Sequence, residues 1–225
     1  MLEKTRVPLQ QFRKVVGKLR HSAAILPPGQ GLFFPVYKAL KGLPYLVPFG
    51  NKCESQHNVL DLKKPLKDAS TRPKETVQLV KIFPDFVGYT NACATRMGAV
   101  WFSGNKNLDI LCCRVQFPKD IVDEVISYVN TKGRLTNSDL ELAASLVHYD
   151  VLVLNTDMRI MSSAIFSDNT PMVARCTKIA DNSRSPVAGG LLRGSAMLQH
   201  QELSAPVLLT HVAGDKNKMA DYLSR

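Results

Sequence analysis

Nowhere does the chain contain an uninterrupted run of eighteen apolar residues, and its start, Met1-Leu2-Glu3-Lys4-Thr5-Arg6, has no apolar centre of the kind a signal peptide needs. Neither a membrane span nor secretion is expected, so the chain is expected to be intracellular, with nothing to decide between cytoplasm and nucleus. Its five cysteines, Cys53, Cys93, Cys112, Cys113 and Cys176, are an odd set with no C-x-x-C pair. A disulfide framework and a zinc ribbon are therefore not indicated, and buried reduced thiols are expected. Internal repeats and low-complexity tracts are absent, and no two histidines or cysteines have metal-ligand spacing. At 45% apolar and 21% charged residues over 225 positions, the chain is of ordinary globular composition and long enough to bury a core.

Charge is unevenly placed. Residues 1–84 carry 15 Lys and Arg against 5 Asp and Glu, whereas residues 85–225 carry 14 against 14. The whole excess of +10 thus lies in the first part. A basic arm ahead of a neutral body suits a polyanion, because each phosphate neutralised releases condensed counterions. Nucleic acid is the expected partner, with Arg13, Lys14, Lys18 and Arg20 as the expected contacts; a basic face that only meets solvent is the alternative.

Leu9, Phe12, Val15, Val16 and Leu19 fall on one helical stripe, and Leu32, Phe33, Val36, Tyr37 and Leu40 on a second. Pro27-Pro28-Gly29 separates them, so a small helical arm is expected over residues 1–50. Residues 51–84 read as a linker with a short helix near 59–66, and residues 85–225 as the main domain. There the period changes. Phe86–Thr90, Ala99–Phe102 and Leu111–Phe117 are β-prone and suggest an antiparallel meander. A helix from Thr136 to Val147, a strand at Ala164–Phe166, a helix from Thr170, a helix over Leu191–Gln199, a strand over Val207–Val212 and a helix over Lys216–Leu223 follow. The order β-β-β-α-β-α-α-β-α predicts an α/β sheet with helices packed on it.

Carboxylates at element ends are the candidates for chemistry, since paired divalent cations need several hard oxygen ligands in one place. Asp168 follows the fourth strand of the body in Ser167-Asp168-Asn169, where it also suits a helix N-cap. Glu141 sits early in its helix, where Ser138-x-x-Glu141 also reads as a capping box. Asp221 stands in His211-Val212-Ala213-Gly214-Asp215-Lys216-Asn217-Lys218-Met219-Ala220-Asp221-Tyr222-Leu223-Ser224-Arg225. His148-Tyr149-Asp150 lacks the second acid of a polymerase Y-x-D-D and reads as the end of the helix bearing Glu141.

These segments resemble the ribonuclease H domain of retroelement reverse transcriptases. Residues 211–225 match the family's H-x-x-G-x-x-N-x-x-A-D-x-L-S-R at every fixed position, Glu141-Leu142-Ala143-Ala144 matches E-L-x-A, and Ser167-Asp168-Asn169 matches S-D-N. Residues 5–42, with Gly17-Lys18-Leu19-Arg20 and Pro28-Gly29, resemble the thumb or connection segment that precedes such domains. The resemblance implies a ribonuclease H-like five-stranded mixed sheet flanked by helices, and Mg²⁺-dependent hydrolysis of RNA in an RNA–DNA hybrid. Glu141, Asp168 and Asp221 are its implied metal ligands, and His211 a proton-transfer partner among the catalytic residues. One position departs. Where the family has an aspartate in a context such as V-G-Y-x-D-A, this chain has Val87-Gly88-Tyr89-Thr90-Asn91-Ala92. An amide offers one neutral carbonyl oxygen in place of a bridging carboxylate, so the metal site is expected to be impaired.

The expected protein is a nucleic-acid-binding fragment or descendant of a retroelement reverse transcriptase that binds better than it cuts. The alternatives are an active hydrolase, in which Glu141, Asp168 and Asp221 hold enough Mg²⁺ for slow cleavage or Asp85 compensates for Asn91, and a non-catalytic structural or interaction protein. A truncated reading frame is a further expectation from the end at Arg225, with a last helical turn that frays.

Overall fold

The computed structural model describes residues 6–23, 46–48, 67, 83–104, 110–158, 161–177, 185–201 and 207–225. The second apolar stripe of the arm and nearly all of the linker, including its short helix, lie outside the described residues.

In the arm, β1 (Arg6–Pro8) leads directly into α1 (Leu9–Ala23) and pairs antiparallel with β2 (Leu46–Pro48), Val7 opposite Val47. Phe12 and Val16 are buried along the stripe read from sequence, together with Val7. The two strands are additions to the helical arm expected from sequence, whose first helix is α1. They are three residues each and carry prolines, so no period-2 signal marks them.

Residues 86–225 are built on a five-stranded mixed sheet. Its strands are β3 (Phe86–Ala92), β4 (Arg96–Ser103), β5 (Leu111–Gln116), β6 (Ser163–Ser167) and β7 (Leu208–His211), in spatial order β5-β4-β3-β6-β7. The first three form the antiparallel meander, and β6 and β7 add in parallel on the far side of β3. The helices are α2 (Lys119–Val122), α3 (Asn137–Asn155), α4 (Thr170–Thr177), α5 (Pro186–Gln201) and α6 (Lys218–Ser224), the last entered through a 3-10 turn at Gly214–Lys216. This is the flanked mixed sheet that the motifs implied, with α2 as an unforeseen addition.

Two glycines set the layer spacing. A Cβ on Gly88 would come within 2.5 Å of the Trp101 ring and 2.7 Å of His148 Cε1, so only glycine lets α3 settle on that face. Gly98 does the same on the opposite face, where a Cβ would run into Leu223 and the backbone of Ser224 in α6. Trp101 is fully buried in the core cluster with Phe86, Tyr149, Leu152, Met158 and Ile165, and its Nε1 donates to the His148 carbonyl at 2.9 Å. The ring of His148 packs on it at 4.1 Å.

Several local expectations are corrected. His148-Tyr149-Asp150 lies inside α3, which runs on to Asn155, because Leu152 still has core to fill. The capping box of α3 is Thr136 with Asp139 rather than Ser138 with Glu141: Asp139 Oδ2 accepts from the Thr136 N–H at 2.9 Å, and Thr136 Oγ1 from the Asp139 N–H at 3.3 Å. The cap of α4 is Asn169, whose Oδ1 accepts from the Met172 N–H at 2.9 Å, rather than Asp168. Of the described cysteines, Cys93, Cys112, Cys113 and Cys176 are free, but Cys112 is exposed and the others only partly covered. Cys112 sits on a solvated strand, and burial pushes the Cys176 thiol up to about 12.

Candidate active site

Period 2 along β3 places Asn91 on the α6 side of the sheet and its neighbours Thr90 and Ala92 on the α3 side. Both helices reach the carboxyl end of β3. Asn91 Nδ2 donates to Asp221 Oδ1 at 2.9 Å and to Ser224 Oγ at 3.1 Å, both on α6. Asn217, just before α6, donates from Nδ2 to the Thr90 carbonyl at 3.0 Å and to Asp168 Oδ1 at 3.3 Å. Arg225 Nε pairs with Asp221 Oδ1 at 2.9 Å. The last turn of α6 is therefore tied down: Ser224 is fully buried and the Arg225 N–H bonds back to the Asp221 carbonyl, contrary to the expected fraying.

Asn91, Glu141, Asp168 and Asp221 line one cleft of about 450 Å³, with Asn137, Asn169, Cys93, Ser224 and Arg225 around them. The four positions singled out in the sequence thus converge from β3, α3, the β6–α4 turn and α6. With Asn169 capping α4 and Asp139 capping α3, neither Asp168 nor Glu141 is consumed as a helix cap.

Glu141 is only 2% exposed, and its Oε2 has no hydrogen-bond partner. Burial pushes its carboxyl up to about 8; the Ala92 backbone N–H works against this, while the charges of Asp168 and Asp221 add to it. At neutral pH this side chain is largely protonated. Burial also opposes ionisation of Cys93, but hydrogen bonds from Thr95 and the Arg96 backbone, with the Arg96 charge, outweigh it and bring the thiol below its ordinary value. Cys93 Sγ donates to the Ser224 carbonyl at 3.0 Å.

His211 ends β7 opposite Ser167 in the parallel register, exposed and not among the residues lining the cleft. Asp85 lies at the other end of β3, where its Oδ2 accepts from the Ser162 N–H at 2.7 Å and hydroxyl at 2.6 Å. It is tied to the start of β6 and cannot replace Asn91. In the arm, Arg13, Lys14 and Lys18 are exposed on α1. Arg20 belongs to the same helix, with its side chain outside the described residues.

The donor set does not suit a pair of Mg²⁺ ions. The orphaned Oε2 of Glu141 would accept a cation, but Asn91 presents N–H groups to Asp221, and Asn217 and Arg225 occupy further carboxylate oxygens with N–H donors. Among the described residues, no three His, Cys, Asp or Glu side chains are arranged to hold an ion.

Cys93, Asn217, Ser224 and Arg225 are further residues of the site whose roles the sequence does not mark. The last three stood at fixed positions of the matched motif, and their work as cross-links between α6 and the sheet shows only in three dimensions. Cys93 follows Asn91 by two residues, the spacing that returns a strand to the same face.

No family model matches the sequence, and no curated protein matches it. Among solved structures, ribonuclease H1 of the halophilic archaeon Halobacterium salinarum is similar at TM-score 0.44 and 17% identity, over 61% of this chain and 92% of that one. The LC11 ribonuclease H1, solved in complex with an RNA/DNA hybrid, is similar at TM-score 0.45 and 16% identity, over 61% of this chain and 92% of that one. A foamy virus protease–reverse transcriptase bound to double-stranded DNA aligns over 91% of this chain at TM-score 0.34 and 10% identity, and the aligned part spans 34% of that protein.

Proposed function

We propose that this protein is a fragment or descendant of a retroelement reverse transcriptase whose ribonuclease H-like body, with its basic arm, binds RNA–DNA hybrid or duplex and cleaves it poorly. The motif match over residues 211–225 supports the lineage. Convergence of Asn91, Glu141, Asp168 and Asp221 on one cleft supports the site, because residues 130 apart in sequence meet where the resemblance requires.

The hydrogen bond from Asn91 to Asp221 carries the reading of weak cleavage. A carboxylate at residue 91 would give two metals a shared anionic ligand; the amide instead gives Asp221 a hydrogen, and the cleft loses one negative charge. Burial holds the Glu141 carboxyl well above the ordinary carboxylate range and so disfavours its charged form, and Asp168 and Asp221 each already accept hydrogen bonds from neighbouring amides. The residues that remain can hold helix α6 in place and keep the cleft shaped for a strand of nucleic acid, while the charge that phosphodiester hydrolysis requires is reduced.

The test measures hybrid binding across a salt series and RNA cleavage with Mg²⁺ on the same protein. Salt-dependent binding with little or no cleavage is expected. Cleavage at a rate typical of an enzyme would refute the impaired site, and absence of hybrid and duplex binding would refute the function.

A further inference from the structure

The far side of Asp221 forms a second cleft of about 380 Å³, lined by Arg114, Lys218, Asp221, Tyr222 and Arg225. Three of the five are cations. The fourth charged residue, Asp221, already accepts from Arg225 and Asn91, so the cleft is locally positive in a body whose residues 85–225 balance overall at 14 against 14. Register explains the grouping. Arg114 on β5 stands directly opposite Gly98 on β4, and α6 lies over Gly98, so Arg114 projects on the side that α6 covers. Lys218 and Tyr222 are four apart on α6 and share a face. Neither Arg114 nor Lys218 has an acidic partner among the described residues, and the Tyr222 ring is 78% exposed.

We infer that this cleft is a subsite for the phosphodiester backbone of a nucleic-acid strand passing over β5 and α6, held by Arg114 and Lys218 and stacked upon by Tyr222. Two unpaired cations that converge from different elements suit a phosphate, and a guanidinium grips one through two parallel N–H bonds. An exposed aromatic ring beside them offers a face for a base or sugar without reading sequence. Arg225 stands between the two clefts through Asp221, so a strand held here continues toward Asn91. The inference rests on the nucleic-acid reading above.

The full chain is titrated with a labelled RNA–DNA hybrid over a KCl series, beside Arg114→Ala/Lys218→Ala and Tyr222→Ala, with thermal melting to verify that both variants fold. Losing two phosphate contacts should make the slope of log Kd against log salt shallower by about 2. Tyr222→Ala should weaken binding about tenfold and leave the slope unchanged. Independently, inorganic pyrophosphate is titrated while backbone amide resonances are followed. Shifts should centre on Arg114, Lys218, Tyr222 and Arg225 and vanish in the double variant.

Unchanged affinity and slope in the double variant, with the wild type binding hybrid, overturns the subsite, even where pyrophosphate shifts these amides. If the wild type binds no nucleic acid, the proposed function falls. Pyrophosphate shifts at these residues then support an anion site separate from that function, and their absence overturns the site as well.

Discussion

Asn91 Nδ2 donates to Asp221 Oδ1 at 2.9 Å and thereby joins strand β3 to the last helix across 130 residues of sequence. Its second hydrogen goes to Ser224 Oγ at 3.1 Å. A carboxylate at this position would make neither bond and would set a like charge against Asp221. The amide therefore acts as a cross-link in a place where an aspartate would require cations. Asn91→Asp should accordingly lower Tm in EDTA and recover part of the loss with Mg²⁺, read by thermal melting, whereas the wild type should respond little to the ion.

Two buried titratable groups give stability opposite pH slopes. His148 is 1% exposed with both ring nitrogens unpartnered, and burial brings it down to about 3 from an ordinary 6.5. The unfolded chain binds the proton first, so its contribution is intact above 6.5 and is lost as pH falls toward 3. At pH 4.5 the loss is about 3 kcal/mol. Chemical denaturation of His148→Phe, which keeps a ring against Trp101, should show a flatter acid limb.

Glu141 behaves in the reverse sense. Its folded value, about 8, lies above the ordinary 4.5, so the folded chain binds the proton more tightly and stability falls as pH rises between those values. Glu141→Gln should therefore raise stability at pH 7.5 by about 4 kcal/mol and by much less at pH 5. Urea denaturation of both proteins at the two pH values measures the difference.

Gly98→Ala should destabilise by about 2 kcal/mol, since the added methyl meets Leu223 and the Ser224 backbone and must push α6 away from β4. Because α6 carries Asp221, the same change should weaken hybrid binding, whereas Ala at the more open Gly190, which has nothing within 4 Å, should not.

Replacing Arg13, Lys14, Lys18 and Arg20 together by Ala should make the salt slope for hybrid or duplex shallower by about 3, if these arm cations carry the nonspecific affinity. Fluorescence anisotropy across a KCl series reads it. Equal slopes would place the affinity in the body.

Strands β3 to β7 and helices α3 to α6 were legible because each has its own period and stop signals, and the order of the fold followed from them. Asn91, Glu141, Asp168 and Asp221 were legible because they stand in motifs. Local caps were not: Ser138-x-x-Glu141 and Thr136-x-x-Asp139 both fit a capping box, and only the backbone start of α3 selects between them. Asp85 stands only six residues before Asn91 in sequence, yet the seven-residue strand between them puts the two at opposite ends of β3. The strands β1 and β2 were hidden because three residues cannot show alternation.

RNA cleavage by Asn91→Asp tests the central claim most directly. With Mg²⁺ and an RNA–DNA hybrid, the variant should cleave at least about a hundredfold faster than the wild type, because one anionic ligand shared by two cations is worth several kcal/mol in the transition state and each ~1.4 kcal/mol is about tenfold in rate. Adding Asp168→Asn should abolish the gain. Wild-type cleavage equal to that of Asn91→Asp, or no cleavage by a well-folded Asn91→Asp protein that binds the hybrid, would contradict the assignment of Asn91 as the residue that limits this site.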